Sequence, residues 1–325
     1  MKDKREENID SNKNKEKDKN LNSKNEKLGI IYSLMTEFIW TLNSVCLKYI
    51  TKNYRSNFKN KTFMFARGLA IIIISFILGK KYDGKIYKIS EFDSQIKKCI
   101  FIRSNFNFVA IAIGTIPVFY LRVTTVQIFS TLSPIIIITF SVIFLKEKYH
   151  SRYAFGILFG IIGSSIIILN EKKLKPNDKD SRMYEVLIGI FAMLLNISLS
   201  GINSVANKIM AQKKISLYTQ LFYLGIFHCV YSFLWMLFTR DFDYTLGYFF
   251  LCTLQAVLFF VANYFMFLSH KMMDLSKSSL FQYSKVVFIF ILGTVVLREK
   301  VFLTDIIGSS IIVGFMIYHV MNPIK

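Results

Sequence analysis

The sequence predicts an all-α polytopic membrane protein with ten transmembrane helices arranged as two inverted five-helix repeats. The 325-residue chain is 53% hydrophobic, and its apolar residues are gathered into long blocks rather than amphipathic stripes. Each block has about 18–23 residues, which as a helix spans the roughly 30 Å hydrocarbon core of a bilayer. In addition, two short motifs recur at corresponding places in the two halves of the chain.

Ten apolar blocks follow a polar N-terminal segment. Residues 1–27 mix Lys with Asp and Glu and contain no apolar signal-peptide core, so we expect a disordered cytoplasmic tail. The blocks lie at 28–48, 62–79, 99–118, 123–145, 153–170, 185–207, 217–238, 246–268, 277–297 and 302–321. Pro117 marks the expected break between the third and fourth blocks, which together are too long for one span. We therefore expect a first repeat over 28–170, a linker over 171–184 and a second repeat over 185–321.

Two pairs of motifs carry the internal repeat. The segment 42–48 (LNSVCLK) in the first block matches 202–208 (INSVANK) in the sixth. The segment 144–148 (FLKEK) after the fourth block matches 296–300 (VLREK) after the ninth. Because each half has an odd number of helices, the two halves must enter the membrane from opposite sides. Inverted repeats of this kind are typical of secondary transporters, whose substrate site lies near the midplane between the halves.

The formal charge of +20 raises the question of nucleic-acid binding. The basic residues, however, cluster at the ends of the apolar blocks, as at 80–81, 97–98, 172–173 and 213–214, and not along one face of a soluble fold. Lysines at such boundaries contact lipid headgroups. We therefore expect the lipid bilayer as a partner and no nucleic acid, and the basic N-terminal tail favours a cytoplasmic N-terminus.

Ionisable residues inside a span cost roughly 2.5–3.5 kcal/mol or more, so each is a candidate functional residue. Lys285 lies near the middle of block nine, with Gln282 and Ser278 on the same face of the predicted helix. One interpretation is a cation that binds an anionic substrate, and the alternative is a structural ion pair with Glu37 of block one. Glu37 is a candidate for proton coupling as well as for that pair.

Two arginines near the starts of blocks two and three, Arg67 and Arg103, are further substrate-binding candidates. A guanidinium binds a carboxylate or phosphate through two parallel hydrogen bonds. The alternative for each is a boundary anchor or a tie between helices. Arg103 shares a helix face with Asn107 and Gly114, and the small residues on that face would let another helix approach closely.

Block six carries a polar stripe at helical spacing, formed by Asn196, Ser200, Asn203 and Asn207. The stripe suits either a hydrated substrate path or hydrogen bonds between helices. Glu147 and Glu299 resemble a paired acid and base, but inverted topology places them on opposite membrane faces. We expect each of these glutamates to stabilise the start of the helix that follows it.

Nothing in the sequence indicates an enzyme, a cofactor or a metal. Walker A, HExxH and GxSxG motifs are missing from the chain. The four cysteines show neither zinc-ligand nor CxxC spacing and suit helix packing.

The segments 124–134 and 144–156 resemble the EamA-type repeat of the drug/metabolite transporter superfamily. The segment 278–308 is similar to the same repeat, with Val286 where the first copy has Pro134. This resemblance implies ten helices, two cytoplasmic termini and transport of metabolites such as nucleotide sugars, sugar phosphates, organic anions or amino acids.

The segments 65–68 (FARG) and 102–104 (IRS) resemble the member-G-like branch of solute-carrier family 35. That branch tends to carry an acidic residue where this chain has Lys285, and a lysine there is more similar to the triose-phosphate and nucleotide-sugar relatives. The resemblance therefore leaves the substrate open.

The leading interpretation is a secondary transporter, working without ATP, that carries a small metabolite by alternating access at a midplane site. An organic anion is favoured because Lys285, Arg67 and Arg103 outnumber Glu37. The alternatives are a non-transporting regulator or scaffold on the same fold, a nucleotide-sugar or sugar-phosphate exchanger in an endomembrane, and, after these, a membrane-embedded enzyme. A wet, basic central cavity open to one side would favour transport, and a sealed or apolar one would favour the scaffold. The choice between plasma membrane and endomembrane stays open, as does a homodimer.

Overall fold

The computed structural model describes the backbone over residues 3–53, 60–84, 88–120, 132–148, 181–240, 246–298 and 302–321, and at isolated positions between 126 and 166. Its side chains are described from residue 25 onward, apart from scattered positions. All regular structure in these ranges is helical, without a strand.

The α-helices are numbered here in chain order. They are α1 (Asp3–Asn53), α2 (Asn60–Tyr82), α3 (Ser94–Gly114), α4 (Ile116–Tyr120), α5 (Ser133–Leu145), α6 (Ser181–Gln212), α7 (Leu217–Thr239), α8 (Leu246–Met272), α9 (Leu275–Leu280), α10 (Lys285–Leu297) and α11 (Leu303–Met321). Two short 3₁₀ helices, Ile89–Glu91 and Phe281–Ser284, lie before α3 and between α9 and α10.

Seven described segments are long and apolar enough to cross a membrane. They are Asn25–Ile50, Lys61–Tyr82, Ser94–Val118, Leu187–Gln212, Leu217–Thr239, Leu246–Met272 and Leu275–Val296, and they correspond to blocks one to three and six to nine. Block ten forms α11, and block four is described mainly as the 13-residue α5. Most of block five lies outside the described residues. The predicted all-α class is therefore confirmed, with seven helices long enough to span a membrane, and the number of ten helices stays a prediction.

The first helix begins at Asp3, where composition predicts a disordered tail over residues 1–27. Residues 1–28 contain neither Gly nor Pro, so nothing in the sequence breaks a helix there. Extending an existing helix avoids the unfavourable nucleation step, because each added residue adds one hydrogen bond. At the end of this segment, the Glu26 carboxylate forms an ion pair with Lys277 Nζ at 2.6 Å.

The two halves of the chain pack against each other through matched helix pairs. In the tightest contacts α1 packs on α8, α2 on α7 and α3 on α6. The repeat makes α1, α2 and α3 equivalent to α6, α7 and α8. Replacing each helix by its equivalent converts the α1–α8 pair into the α6–α3 pair and leaves the α2–α7 pair unchanged. The packing thus follows the twofold relation that the repeated motifs predict.

The repeated motif at 144–148 and 296–300 has the same backbone conformation in both halves where it is described. The preceding helices, α5 and α10, are each 13 residues long. Each ends at a basic residue in the left-handed region, Lys146 with φ 55° and Arg298 with φ 55°. The N–H of each of these residues binds the carbonyl five residues earlier, in Ser141 and Gly293. A left-handed residue of this kind is a common way to end a helix.

The lysine that ends the other repeated motif has one structural role in both halves. Lys48 Nζ donates a hydrogen bond to the carbonyl of Val118 at 2.6 Å. Lys208 Nζ donates to the carbonyls of His270 at 2.7 Å and Met273 at 2.6 Å. Val118 lies just after α3, the third helix of the first half, and His270 and Met273 lie at the end of α8, the third helix of the second half. The last carbonyls of a helix lack partners within it and attract cations, so each lysine stabilises a helix end.

Glycines bring α2 and α7 into close contact. A methyl group added at Gly225 would lie 2.8 Å from Ile72 Cγ1 and 3.0 Å from the carbonyl oxygen of Gly68. We expect Gly225→Ala to lower the free energy of unfolding by about 1–3 kcal/mol, because the helices would have to separate. The thermal unfolding midpoint of the purified protein in detergent measures this effect. Gly314→Ala is the matched control, since a methyl group at Gly314 meets no atom within 4 Å. Equal midpoints for the two variants would contradict the prediction.

Candidate substrate site

A cavity of about 280 Å³ lies between the two halves of the bundle. Helices α1, α3, α6 and α8 form most of its wall, and α2, α4 and the starts of α5 and α10 contribute the rest. Eight candidate residues from the sequence line this cavity: Glu37, Arg67, Arg103, Asn107, Asn196, Asn203, Gln282 and Lys285. Residues from five separated blocks are therefore brought to one place. Asn207, the last residue of the predicted polar stripe, instead contacts His270, with its Nδ2 3.3 Å from the ring Nδ1.

Lys285 and Glu37 form an ion pair at the cavity wall. Lys285 Nζ lies 3.1 Å from Glu37 Oε2, and the two side chains are 14% and 7% exposed. The pair joins α10 to α1, so it connects the second half to the first. Lys285 thus contacts the glutamate that the sequence offers as its partner while also lining the cavity.

The helix that carries Lys285 changes from α to 3₁₀ geometry next to the cavity. Helix α9 ends at Leu280, a 3₁₀ turn follows over Phe281–Ser284, and α10 starts at Lys285 itself. Gln282 lies in this turn and accepts a hydrogen bond from the hydroxyl of Ser133, the first residue of α5. The backbone stays helical through the turn, and a stretch of 3₁₀ helix inside a longer helix often marks a functional hinge.

Arg67 is buried in the bundle, with 3% of its surface exposed. The carbon of its guanidinium lies 3.7 Å from the centre of the Phe259 ring, a cation–π contact. Its Nε and Nη2 atoms are buried and have no hydrogen-bond partner in the described part of the chain. Arg67 therefore lines the cavity and has two buried donors without a described partner.

Arg103 is equally buried and ties three helices together. Its Nη1 donates to the side-chain oxygen of Gln220 on α7, and its Nη2 donates to Asn263 Oδ1 on α8 at 3.1 Å. One turn and three turns later on the same helix, Asn107 and Gly114 also line the cavity. Arg103 is thus a tie between helices and a cavity residue at the same time.

Helices α3 and α6 approach each other closely beside the cavity. Asn196 Nδ2 donates to the carbonyl of Ala110, and a methyl group added at Gly114 would collide with that same amide nitrogen. The small residues on the Arg103 face therefore permit the close approach that the sequence predicts.

Three amide residues that line the cavity have buried side-chain oxygens without a described partner. Asn107 Oδ1, Asn203 Oδ1 and Gln255 Oε1 are buried and have no hydrogen-bond partner in the described ranges. Asn43, the repeat equivalent of Asn203, behaves differently, because its Oδ1 accepts from Gln255 Nε2 at 2.6 Å. Unpaired buried oxygens are costly, so these positions favour a ligand or water that donates hydrogen bonds.

The cavity carries a net positive charge. Arg67, Arg103 and Lys285 line it, and Glu37 is the one acidic side chain among the described lining residues. Lys285 and Glu37 neutralise each other, whereas the guanidiniums have amide and aromatic partners. This arrangement attracts anions and disfavours cations.

The sequence profile of the EamA-like transporter family matches residues 27–169 and 187–320. The chain belongs to the EamA-like transporter family. It is accordingly an integral multi-pass membrane protein of a transporter family, which agrees with the expectation that it is not an enzyme. No curated protein matches the chain.

The fold of this EamA family member is shared with solved structures, of which 28 chains match it. One, described only as the crystal structure of a protein, has a TM-score of 0.66 and 14% sequence identity, over 92% of this chain and 97% of that one. At such low identity the likeness concerns the fold alone.

Positions that the repeat makes equivalent have different surroundings in this EamA bundle. The buried hydroxyls of Ser33 on α1, Ser269 on α8 and Ser278 on α9 bind one another at 2.6–3.1 Å. In the register of the repeated motifs, Ser33 corresponds to Met193 and Ser278 to Val126. Those two residues line the cavity. One pair of equivalent positions is thus hydrogen-bonded, whereas the other pair lines the cavity.

Glu147 reinforces the helix that carries Ser278. Its carboxylate accepts hydrogen bonds from the N–H groups of Leu275 and Ser276 at 2.9 and 3.0 Å and from the Ser276 hydroxyl at 2.6 Å. Glu147 therefore stabilises the start of α9, in the other half, whereas the sequence suggests the helix that follows Glu147. The start of that following helix lies outside the described residues, as does Glu299.

Glu147→Gln should lower the free energy of unfolding by about 1–2 kcal/mol, because an amide cannot accept both backbone N–H groups at the helix start. Thermal unfolding in detergent is the measurement. Glu26→Gln is the control, since the Glu26–Lys277 pair is more exposed and should contribute only about 0–1 kcal/mol. If the two variants lose equal stability, Glu147 has no special role at α9.

Three contact residues were not predicted from the sequence: Phe259, Gln220 and Ser133. Phe259 gives no signal, because aromatic residues are abundant throughout the chain. Gln220 is a single amide near the start of a span, and its partner is unknown until the helices pack. Ser133 had a signal, since the repeat register makes it the equivalent of Lys285.

Proposed function

We propose that this protein is a secondary transporter that carries a small organic anion through the central cavity by alternating access between its two halves. The observation that carries the proposal is the cavity itself, which lies between the halves and contains two guanidiniums without a carboxylate partner in the described ranges. A cavity with this lining suits an anion that can be bound and released, and it does not suit a sealed scaffold.

The unlike surroundings of equivalent residues support the alternating step. Ser33 and Ser278 are hydrogen-bonded to each other, whereas their equivalents Met193 and Val126 line the cavity. In an inverted repeat, exchange of the two conformations would separate the bonded pair and bring the cavity-lining pair together. The 3₁₀ segment Phe281–Ser284 is a natural hinge for that rearrangement.

The proposal also includes ten transmembrane helices, repeats over 28–170 and 185–321, two cytoplasmic termini and a place in the member-G-like branch of solute-carrier family 35. A nucleotide-sugar or sugar-phosphate exchanger in an endomembrane is the second candidate, favoured by Lys285. The cavity volume of about 280 Å³ lies at the lower end of the ligand-pocket range, which favours a smaller anion.

Uptake into liposomes that contain the purified protein tests the proposal. The labelled panel comprises nucleotide sugars, sugar phosphates, carboxylates and amino acids, each measured with and without a pH gradient. We expect saturable uptake of one anionic class, above that of protein-free liposomes. Folded protein that takes up none of the panel would instead favour the non-transporting regulator or scaffold.

A further inference from the structure

We infer that the substrate carries two negative charges together with hydrogen-bond donors, and that Arg67 is the residue that sets this charge preference. The inference rests on the proposed function and refines the class of anion that the cavity accepts. The ligand would be a small hydroxylated dianion, either a dicarboxylate or a phosphate monoester.

The charges that line the cavity favour a dianion. Lys285 and Glu37 lie 3.1 Å apart and contribute no net charge. Arg67 and Arg103 remain, and no other acidic side chain lines the cavity among the described residues. Two buried positive charges in one cavity repel each other and are poorly solvated. A dianion neutralises both, whereas a monoanion or a zwitterion leaves a positive charge uncompensated.

Arg67 lines the cavity and keeps two buried donors unpaired in the described part of the chain. The unpaired atoms Nε and Nη2 form one edge of the guanidinium, and such an edge binds two oxygens of a carboxylate or phosphate in parallel. Stacking on the Phe259 ring restricts the plane of the guanidinium. In Arg103, by contrast, Nη1 donates to Gln220 and Nη2 donates to Asn263. Arg103 therefore adds positive charge to the cavity, but its two Nη atoms already have partners.

The unpaired amide oxygens of the protein indicate that the substrate carries hydrogen-bond donors. Asn107 Oδ1, Asn203 Oδ1 and Gln255 Oε1 are buried at the cavity without a partner in the described ranges. Anionic oxygens only accept hydrogen bonds, so they cannot satisfy these atoms. A hydroxyl group on the substrate can donate to them, and its loss would leave a buried oxygen unpaired.

Binding to the full-length protein in detergent tests the inference without requiring transport. Trp40 lines the cavity and is one of two tryptophans in the chain, so its fluorescence reports occupancy, with Trp40→Phe as the signal control. The probes are L-malate, succinate, which lacks the hydroxyl, succinamate, which lacks one charge, and glycerol 3-phosphate. Malate should bind more tightly than succinate, and succinamate should bind about tenfold more weakly than succinate.

Arg67→Gln should remove the preference for two charges. In this variant succinate is expected to lose about tenfold in affinity, while succinamate is expected to change little. Lys80→Gln is the matched control, because it removes a cation at a helix end outside the cavity and should leave the succinate-to-succinamate ratio unchanged. Glycerol 3-phosphate in place of malate as the tightest ligand would identify the phosphate source of the dianion.

The inference is overturned if succinamate binds as tightly as succinate, if the ratio survives Arg67→Gln, or if no probe binds folded protein. Uptake by liposomes separates this result from the proposed function. Uptake of a monoanion with no dianion binding would leave transport standing and remove the charge assignment. Binding of a dianion without uptake of any anion would support the charge assignment and contradict the proposed transport.

Discussion

Lys285→Met should abolish uptake and lower the free energy of unfolding by about 3–5 kcal/mol. Glu37 is 7% exposed and lies 3.1 Å from Lys285 Nζ, so the variant leaves a buried carboxylate without its counter-ion. Glu37→Gln should have a comparable cost for the same reason, because the lysine then lacks its partner. Thermal unfolding in detergent and uptake into liposomes measure the two effects.

The double variant Glu37→Gln/Lys285→Met separates a structural role of this pair from a transport role. Removing both charges removes the uncompensated one, so much of the stability should return. Uptake should not return, because the pair lines the cavity beside the 3₁₀ segment Phe281–Ser284, where we propose that the two halves move relative to each other. A stable double variant with wild-type uptake would reduce the pair to a purely structural contact.

Arg103→Ala should cause the second-largest loss, affecting stability and uptake together. The substitution leaves the side-chain oxygens of Gln220 and Asn263 without their donor in the buried contact among α3, α7 and α8. Each unsatisfied oxygen costs about 1–3 kcal/mol, and the cavity also loses one of its two uncompensated charges. Unfolding midpoints and initial uptake rates are the readouts.

Arg103→Lys serves as the companion variant. A lysine keeps the positive charge but lacks the planar fork that reaches both amides. We expect partial stability with measurable but reduced uptake. If the lysine variant is as inactive as the alanine variant, hydrogen bonding to the amides matters more than charge at this position.

The membrane fold could be predicted because its main constraint is local. A span needs a block of apolar residues of a given length, and a helix satisfies its own backbone hydrogen bonds inside the bilayer. Blocks one to three and six to nine match seven span-length helices for this reason. Composition favours a disordered tail, whereas the structure describes a helix from Asp3, because a helix already formed at Gly29 can be extended toward the N-terminus without a new nucleation step.

The members of the site could also be predicted, because a polar or charged side chain inside an apolar block is costly and so indicates a function. Glu37, Arg67, Arg103 and Lys285 were found in this way, and all four line the cavity. Their partners could not be found in this way. Whether a buried charge is neutralised depends on which helices pack together, and that information is not contained in any single block.

By itself, the sequence determined the helical membrane class, the relation between the two halves and the polar residues that meet in the cavity, because hydrophobic length, repeated motifs and buried charge are properties of the chain. Only the tertiary structure decided that Lys285 is neutralised by Glu37 while Arg67 keeps a free edge. It also decided that Glu147 stabilises a helix of the other half. These are contacts between residues more than a hundred positions apart, and their energies depend on distances that only the packing of the helices sets.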